Sequence, residues 1–412
     1  MRNIGIVGAG EAGLLTAFGL LRQGYDVTLY SDRTSEQIFN GRLPASAYLF
    51  GKACAYEREL GLAFWQDQGE FATNIILDVC PAPAQRALTV RAPFSQPGVS
   101  VDLRAKYARW LAELQRRGGK VVVGPVGVQE LEGLASRHEL VLVATGKAAL
   151  GHLFGRDAQR SPHQKPLRHV TALVVRGMKP WSDTTVPSVR FTLTPGAGDY
   201  FSMPFFDRLH GMCHALLFEA YPGGDQDRFG KVTSAELVRT AKELVHQYSP
   251  WQDEALADIE LVDDTAWLTG AITPTVRDPV GKLPSGAQVM GLGDVVLLVD
   301  PVAGQGLNNA AGMAQSVTES IVAHGDRPFT ADWMRQSFER YWEAEGQYRT
   351  VFSNMLLEPP PPHVQQLLGA ATQVQSLADE FMSAFCHPKV LWPWILDPEQ
   401  TQAHIQQHTR TA

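Results

Sequence analysis

The chain has 412 residues, 44% of them hydrophobic, and a formal net charge of −7 at pH 7. That length predicts two or three domains, and the acidic balance, without a basic run interleaved with aromatics, argues against nucleic acid as the main partner. The four cysteines, Cys54, Cys80, Cys213 and Cys386, form no CxxC pair and read as reduced thiols of a cytoplasmic, metal-free protein. The N-terminus opens directly on an apolar strand without a leader pattern. No apolar run approaches the roughly 18 residues needed to span a bilayer, so neither secretion nor a membrane is expected.

Ile4-Gly5-Ile6-Val7 predicts a first strand, and Gly8-x-Gly10-x-x-Gly13 predicts a tight turn into a helix over 12–23. Gly8 permits the turn, Gly10 lets backbone approach a pyrophosphate, and Gly13 lets the helix pack closely on the strand. Glu11 and Ala12 stand at the helix start, whose free N–H groups and positive dipole end face the phosphates. Gly24 ends the helix, and 26–30 predicts a second parallel strand. Further strands of the same sheet are expected at 121–123, 140–144 and 288–292. The dinucleotide-binding domain is therefore discontinuous, 1–165 plus 284–330. Between its parts, the alternation in Val189–Leu193 and His214–Phe218 predicts a mixed sheet in a substrate domain over 166–283, with a helix over 232–249. Residues 331–412 read as a mainly helical C-terminal region, interrupted by an extended connector at Pro359–Pro362.

Three later motifs narrow the nucleotide. Ala144-Thr145-Gly146 ends an apolar strand in small residues that a cofactor can approach, although an ordinary strand-end turn explains it equally well. Gly291-Leu292-Gly293-Asp294 puts a carboxylate at a strand end, where it can accept a hydrogen bond from a ribityl hydroxyl. Asp300-Pro301-Val302-Ala303-Gly304-Gln305-Gly306-Leu307-Asn308-Asn309 is a glycine-rich loop opening a long helix.

In order and spacing these motifs resemble the FAD-dependent monooxygenases built like aromatic hydroxylases. The resemblance implies an α/β fold: a Rossmann-like FAD-binding domain of the aromatic-hydroxylase type, an inserted mixed-sheet substrate domain and a helical C-terminal region. It places Asp294 on the sugar chain of the flavin, and Pro301, Gly304, Gln305 and Gly306 beside the ring. The helix N-terminus through Asn309 would face the pyrimidine edge, where reduced flavin carries negative charge; reduced FAD should then bind more tightly than oxidised FAD. One departure is Ser31, which stands where an acid usually grips the adenosine ribose; Asp32 or Arg33 is the candidate substitute.

Over its full length the chain resembles the oxygenase component of styrene and indole monooxygenases. The likeness is carried by Ile4–Gly10, Val27–Arg33, Thr145-Gly146-Lys147, Gly291–Asp294 and Asp300–Gly306. It implies that a separate NADH-dependent flavin reductase supplies reduced FAD. With O2 this forms a flavin C4a-hydroperoxide, which epoxidises indole or styrene-like aryl alkenes and sulfoxidises aryl sulfides. Because the cofactor does the hard step, an apolar pocket without an acid–base pair is expected. The resemblance brings Arg42–Phe50 near the ring and the substrate, with Arg42 a candidate for phosphate or ribityl oxygens. Styrene-type members resemble one another in an Asn at the place of Ser46 and a His near the place of Ile76; Ser46 with Ile76 is similar to the indole-preferring branch, and drift in packing is the plain alternative. Tyr48, Phe201, Met203 and Phe205 are further pocket candidates, with sheet core an equal reading for the last three. A homodimer stays open. The rival functions are a single-component FAD/NAD(P)H aromatic hydroxylase, a flavin-dependent halogenase (suggested by Trp392-Pro393-Trp394-Ile395, though far from its usual interior position) and a non-catalytic FAD-binding protein.

Overall fold

The computed structural model describes residues 2–146 and 148–411. Ten strands come before the middle of the substrate region: β1 (Asn3–Val7), β2 (Asp26–Ser31), β3 (Asn74–Val79), β4 (Leu88–Pro93), β5 (Lys120–Val123), β6 (Leu140–Val143), β7 (His169–Arg176), β8 (Ser188–Thr194), β9 (Gly198–Asp207) and β10 (Gly211–Ala220). Six shorter ones follow: β11 (Glu260–Leu261), β12 (Trp267–Ala271), β13 (Thr275–Val276), β14 (Val280–Lys282), β15 (Gln288–Gly291) and β16 (Leu297–Leu298). The principal helices are α1 (Glu11–Arg22), α2 (Leu103–Arg116), α3 (Ser234–Tyr248), α4 (Gln305–His324), α5 (Ala331–Tyr341), α6 (Gln347–Leu357), α7 (Pro362–Ala371), α8 (Gln375–Ser383) and α9 (Pro398–Thr411).

Among the described residues the first sheet runs β14-β15-β6-β1-β2-β5. Its central pairs β1–β2, β1–β6, β2–β5 and β6–β15 are all parallel, and β14 closes one edge antiparallel. β1 and β6 are near-continuous apolar runs, as expected of parallel strands covered on both faces. α1 packs against α4 on one face, with Leu14, Leu15, Phe18, Val317 and Ile321 inside the shared core.

The second sheet runs β11-β7-β10-β9-β8-β3-β4, with β12 also pairing β7. It departs from the expected boundaries in two ways. β3 and β4, assigned to 1–165, belong to this sheet, where β3 pairs parallel with β8 in the register Ile75↔Val189 and Leu77↔Phe191. Conversely β14, assigned to 166–283, joins the nucleotide sheet through β15. Local alternation marks a strand but not its partner; partner choice follows from which apolar face can be covered. One face of this sheet packs on α3 through Leu173, Phe218, Leu237 and Leu244, and the other on the C-terminal helices through Phe191, Phe352, Phe381 and Phe385. No described helix is long and apolar enough to cross a membrane. All four cysteines are free and buried.

Candidate active site

Two glycines compress the nucleotide turn. Gly8 has φ +120°, and a Cβ there would lie 2.7 Å from the Ala144 carbonyl oxygen. A Cβ on Gly13 would lie 2.0 Å from the Gly8 carbonyl oxygen. β1, the end of β6 and α1 therefore meet only because both lack side chains. Gly10, by contrast, faces open space: a Cβ would meet nothing within 4 Å. The same holds for Gly146, after Thr145 at the end of β6, and for Gly306 in the first turn of α4. Neither Gly10 at the head of α1 nor Gly304 at the head of α4 supplies a side-chain cap, so the leading N–H groups of both helices are left for an external acceptor. Gly293 (φ +69°) brings its turn against Ala12, 3.0 Å from a built Cβ, which joins the first and third motifs. Lys147 lies outside the described residues.

Asp294 is the group best suited to a ribityl chain. Its side chain is exposed, and among the described residues it has no hydrogen-bond or ion-pair partner. Surrounding protein still strips enough hydration to push its carboxyl up to about 6. An exposed, unpaired acceptor on the Gly293 turn, which abuts Ala12 at the start of α1, fits a flavin dinucleotide.

Several expected contacts go elsewhere. The Glu11 carboxylate is buried and ion-paired to Lys106 Nζ at 2.9 Å, which also meets Glu57 at 2.5 Å. Burial pushes Glu11 up to about 7. Its side chain fastens α1 to α2, and only its backbone remains available to a phosphate. The Ser31 hydroxyl turns back to the Arg33 carbonyl at 2.6 Å, and Asp32 and Arg33 lie 3.6 Å apart on the surface beyond β2. Arg42 lies over the Trp267 ring of β12, 4.8 Å from its centroid. The Gln305 side chain donates to the Ala303 and Phe385 carbonyls, both at 2.8 Å, and accepts from Arg349 at 2.5 Å, so it points into the protein. Asn309 accepts from the Tyr341 hydroxyl at 2.7 Å and serves the α4–α5 packing.

Its neighbour Asn308, not singled out in the sequence, has a structural role. It accepts from Phe50 N at 2.9 Å and donates to the Tyr48 and Gly304 carbonyls at 2.9 and 2.8 Å. It thereby staples the 48–50 segment to the start of α4. Two consecutive asparagines lie about 100° apart around a helix, so only the orientation of α4 separates their roles.

Between that segment, the Pro301–Gly304 loop and the second sheet lies an apolar cavity. Ser46, Tyr48, Phe201, Met203, Pro301 and Gly304 all line it, as does Ile75. Ile76 does not. The period of a strand is two residues, and the register puts Ile75 beside Val189 on the cavity face and Ile76 beside Arg190 on the other. Phe205 shares the face of Phe201 and Met203 but pairs with Cys213 further along, in solid core. The Tyr48 hydroxyl is spent on the Ala72 carbonyl at 2.7 Å. Ser46 Oγ is buried without a partner. No described lining residue is a carboxylate, histidine, lysine or arginine. Behind the loop, Asp300 accepts from Val302 N at 3.1 Å and lies near Glu219 of β10, and burial raises both carboxyls above their ordinary values.

Elsewhere, Glu380 of α8 and His404 and His408 of α9 bring one ligand-capable atom each within 4.8 Å of one another. That is a grouping the cysteine pattern did not foretell. Trp392 and Trp394 pack against Tyr348 and His404 in the same C-terminal region, away from the cavity.

Fold and site together define a flavin-dependent enzyme of the aromatic-hydroxylase architecture. Solved structures agree in fold: the flavin-dependent brominase Bmp2 matches with TM-score 0.67 and 14% identity over 100% of both chains. Aklavinone-11 hydroxylase, solved with FAD and aklavinone, matches with TM-score 0.56 and 15% identity over 86% of this chain and 68% of that one. Residues 146–254 match the family described as "Styrene monooxygenase A putative substrate binding domain". Styrene monooxygenase StyA of a Pseudomonas species is 30% identical, covering 97% of this chain and 96% of the relative. StyA of Pseudomonas fluorescens is 28% identical over 100% and 99%. The chain belongs to the styrene monooxygenase A family: it is an FAD-dependent monooxygenase, the oxygenase component of a two-component system.

Proposed function

We propose that this protein takes reduced FAD from an NADH-dependent flavin reductase and, with O2, transfers one oxygen atom to a flat aryl alkene, with indole preferred and styrene and aryl sulfides accepted. Bound reduced flavin supplies the electrons and the activation of O2. The residues of this chain hold and enclose. Bare N–H groups at the heads of α1 and α4 meet the pyrophosphate and the pyrimidine edge, and Asp294 accepts from the sugar chain. The apolar walls exclude water.

The observation that carries the substrate preference is Ser46. Its hydroxyl is buried and unpaired in an otherwise apolar cavity. A buried polar group without a partner costs about 1–3 kcal/mol. The indole N–H can satisfy Ser46 Oγ; styrene has nothing to offer it. An apolar cavity without an acid–base pair also suits oxygen transfer to an alkene better than hydroxylation of a phenol.

The experiment mixes protein, chemically reduced FAD, O2 and indole, with no NADH and no reductase, and reads indigo. Blue colour is expected. NADH oxidation by the isolated protein with FAD and a phenol, in place of colour, would transfer the reading to a single-component hydroxylase. Ser46→Ala should lower kcat/KM for indole about tenfold, or 1.4 kcal/mol, and change that for styrene less than twofold.

A further inference from the structure

With Phe385 in place the cavity at Ser46 has a volume of about 50 Å³, so it takes a two-ring substrate only by opening into a neighbouring space. A second chamber lies beside it. Its volume is about 470 Å³, within the roughly 300–1,000 Å³ typical of small-molecule sites. The two occupy successive rows of one sheet face. Ile75 and Val189 line the inner cavity, Leu77 and Phe191 form the next pair, and Val79 and Leu193 line the outer chamber. Phe191 and Phe385 belong to both linings. Their rings stand edge to face, 6.2 Å apart at 85°, and make the partition. Phe352 backs Phe385 from the outer side at 5.2 Å. The outer chamber reaches solvent beneath the proline segment, where Pro81, Ala87 and Pro359 are exposed.

We propose that the outer chamber is a holding site for a neutral aromatic substrate on its way to the inner cavity, and that Phe385 is the gate. This rests on the oxygen-transfer reading above for the identity of the ligand. The chamber walls are mainly aliphatic and aromatic; of the polar lining residues, buried Asp199 is paired with Arg168 at 3.2 Å and Glu358 and Gln365 are exposed, so the space favours an uncharged hydrocarbon-like ring. A swing of the Phe385 side chain about its own rotamers joins the two spaces without backbone movement. The backbone is fixed because its carbonyl accepts from Gln305 at the head of α4. The gate is thereby mounted on the same helix start that faces the flavin.

The test uses the full chain loaded with oxidised FAD, without reductant, and 19F NMR of 4-fluorostyrene. Two bound resonances are expected. Leu356→Trp, filling the outer chamber, should abolish one, and Phe385→Ala should merge the two. Leu193→Trp on the opposite wall repeats the filling, so a folding failure of one variant does not decide the matter. In turnover with reduced FAD, filling should raise KM at least tenfold while kcat stays within twofold. A single bound resonance in the unaltered protein, or an unchanged KM in both filled variants, overturns the proposal. Two resonances without oxygen transfer would retain the chamber and overturn the functional reading; one resonance with oxygen transfer would do the reverse.

Discussion

Gly13 and Gly306 both stand at helix starts, yet their surroundings are opposite, and substitution should separate them. Alanine at Gly13 drives a methyl to 2.0 Å from a backbone carbonyl that cannot retreat. Gly13→Ala should cost about 3 kcal/mol or more, read as a lower Tm of the apoprotein. Alanine at Gly306 meets nothing and gains helix propensity. Gly306→Ala should leave Tm unchanged or raise stability by up to about 1 kcal/mol, while weakening FAD binding in a fluorescence titration. Asp294 gives a pH-dependent counterpart. Its carboxyl sits at about 6 in the folded protein, above its ordinary 3.8. Between those values the unfolded chain has released a proton that the folded chain keeps, so stability of the apoprotein falls as pH rises through 6. Asp294→Asn should remove that slope and weaken FAD binding together. In the unaltered protein, FAD affinity should fall as pH drops below 6, where the acceptor is protonated; a flat affinity from pH 5 to 8 would contradict the assignment.

At the scale of the element, α4 holds both the Tyr48–Phe50 cavity wall and the Phe385 carbonyl. Its 20 residues align many peptide dipoles on an uncapped N-terminus. Reduced FAD, the more negative form, should bind at least several-fold more tightly than oxidised FAD; equal affinities in an anaerobic titration would sink this. Asn308→Ala removes three hydrogen bonds to the 48–50 segment and the loop, worth about 2–3 kcal/mol together at ~1 each. It should raise KM for the aromatic substrate as the Ser46–Phe50 wall loosens, whereas Asn309→Ala should lower Tm through the lost Tyr341 contact with less effect on KM. The pair tests which face of the helix serves the site.

At the scale of the whole molecule, acid should act through the second sheet. Burial holds His214 of β10 down to about 4, below its ordinary 6.5. Between those values the unfolded chain binds a proton that the folded chain refuses, so stability is lost as pH falls from 6.5 towards 4. His214→Gln should flatten that acid limb by on the order of 2 kcal/mol, read by urea unfolding at pH 5 and pH 7. The same scale divides what was legible in the chain from what was not. The glycine turn, the Gly291–Asp294 strand end, the Asp300–Gly306 loop and the parallel strands could be read from sequence, because each is a local backbone requirement that only certain residues meet. Ser46 and Tyr48 were legible as cavity candidates through family resemblance, and Phe201 and Met203 through an aromatic and Met cluster on a predicted strand that read equally well as sheet core. The choice of Ile75 over Ile76 as a cavity wall and the stapling role of Asn308 were not, since they turn on a strand phase and a helix rotation set by packing on distant elements. Nor were the inward turns of Glu11 and Gln305, the placement of β3 and β4 in the second sheet, and the wall that Phe385 raises between two chambers. Those follow from long-range contacts, where burial of apolar faces, rather than any local preference of the chain, decides which side of each element meets the ligand.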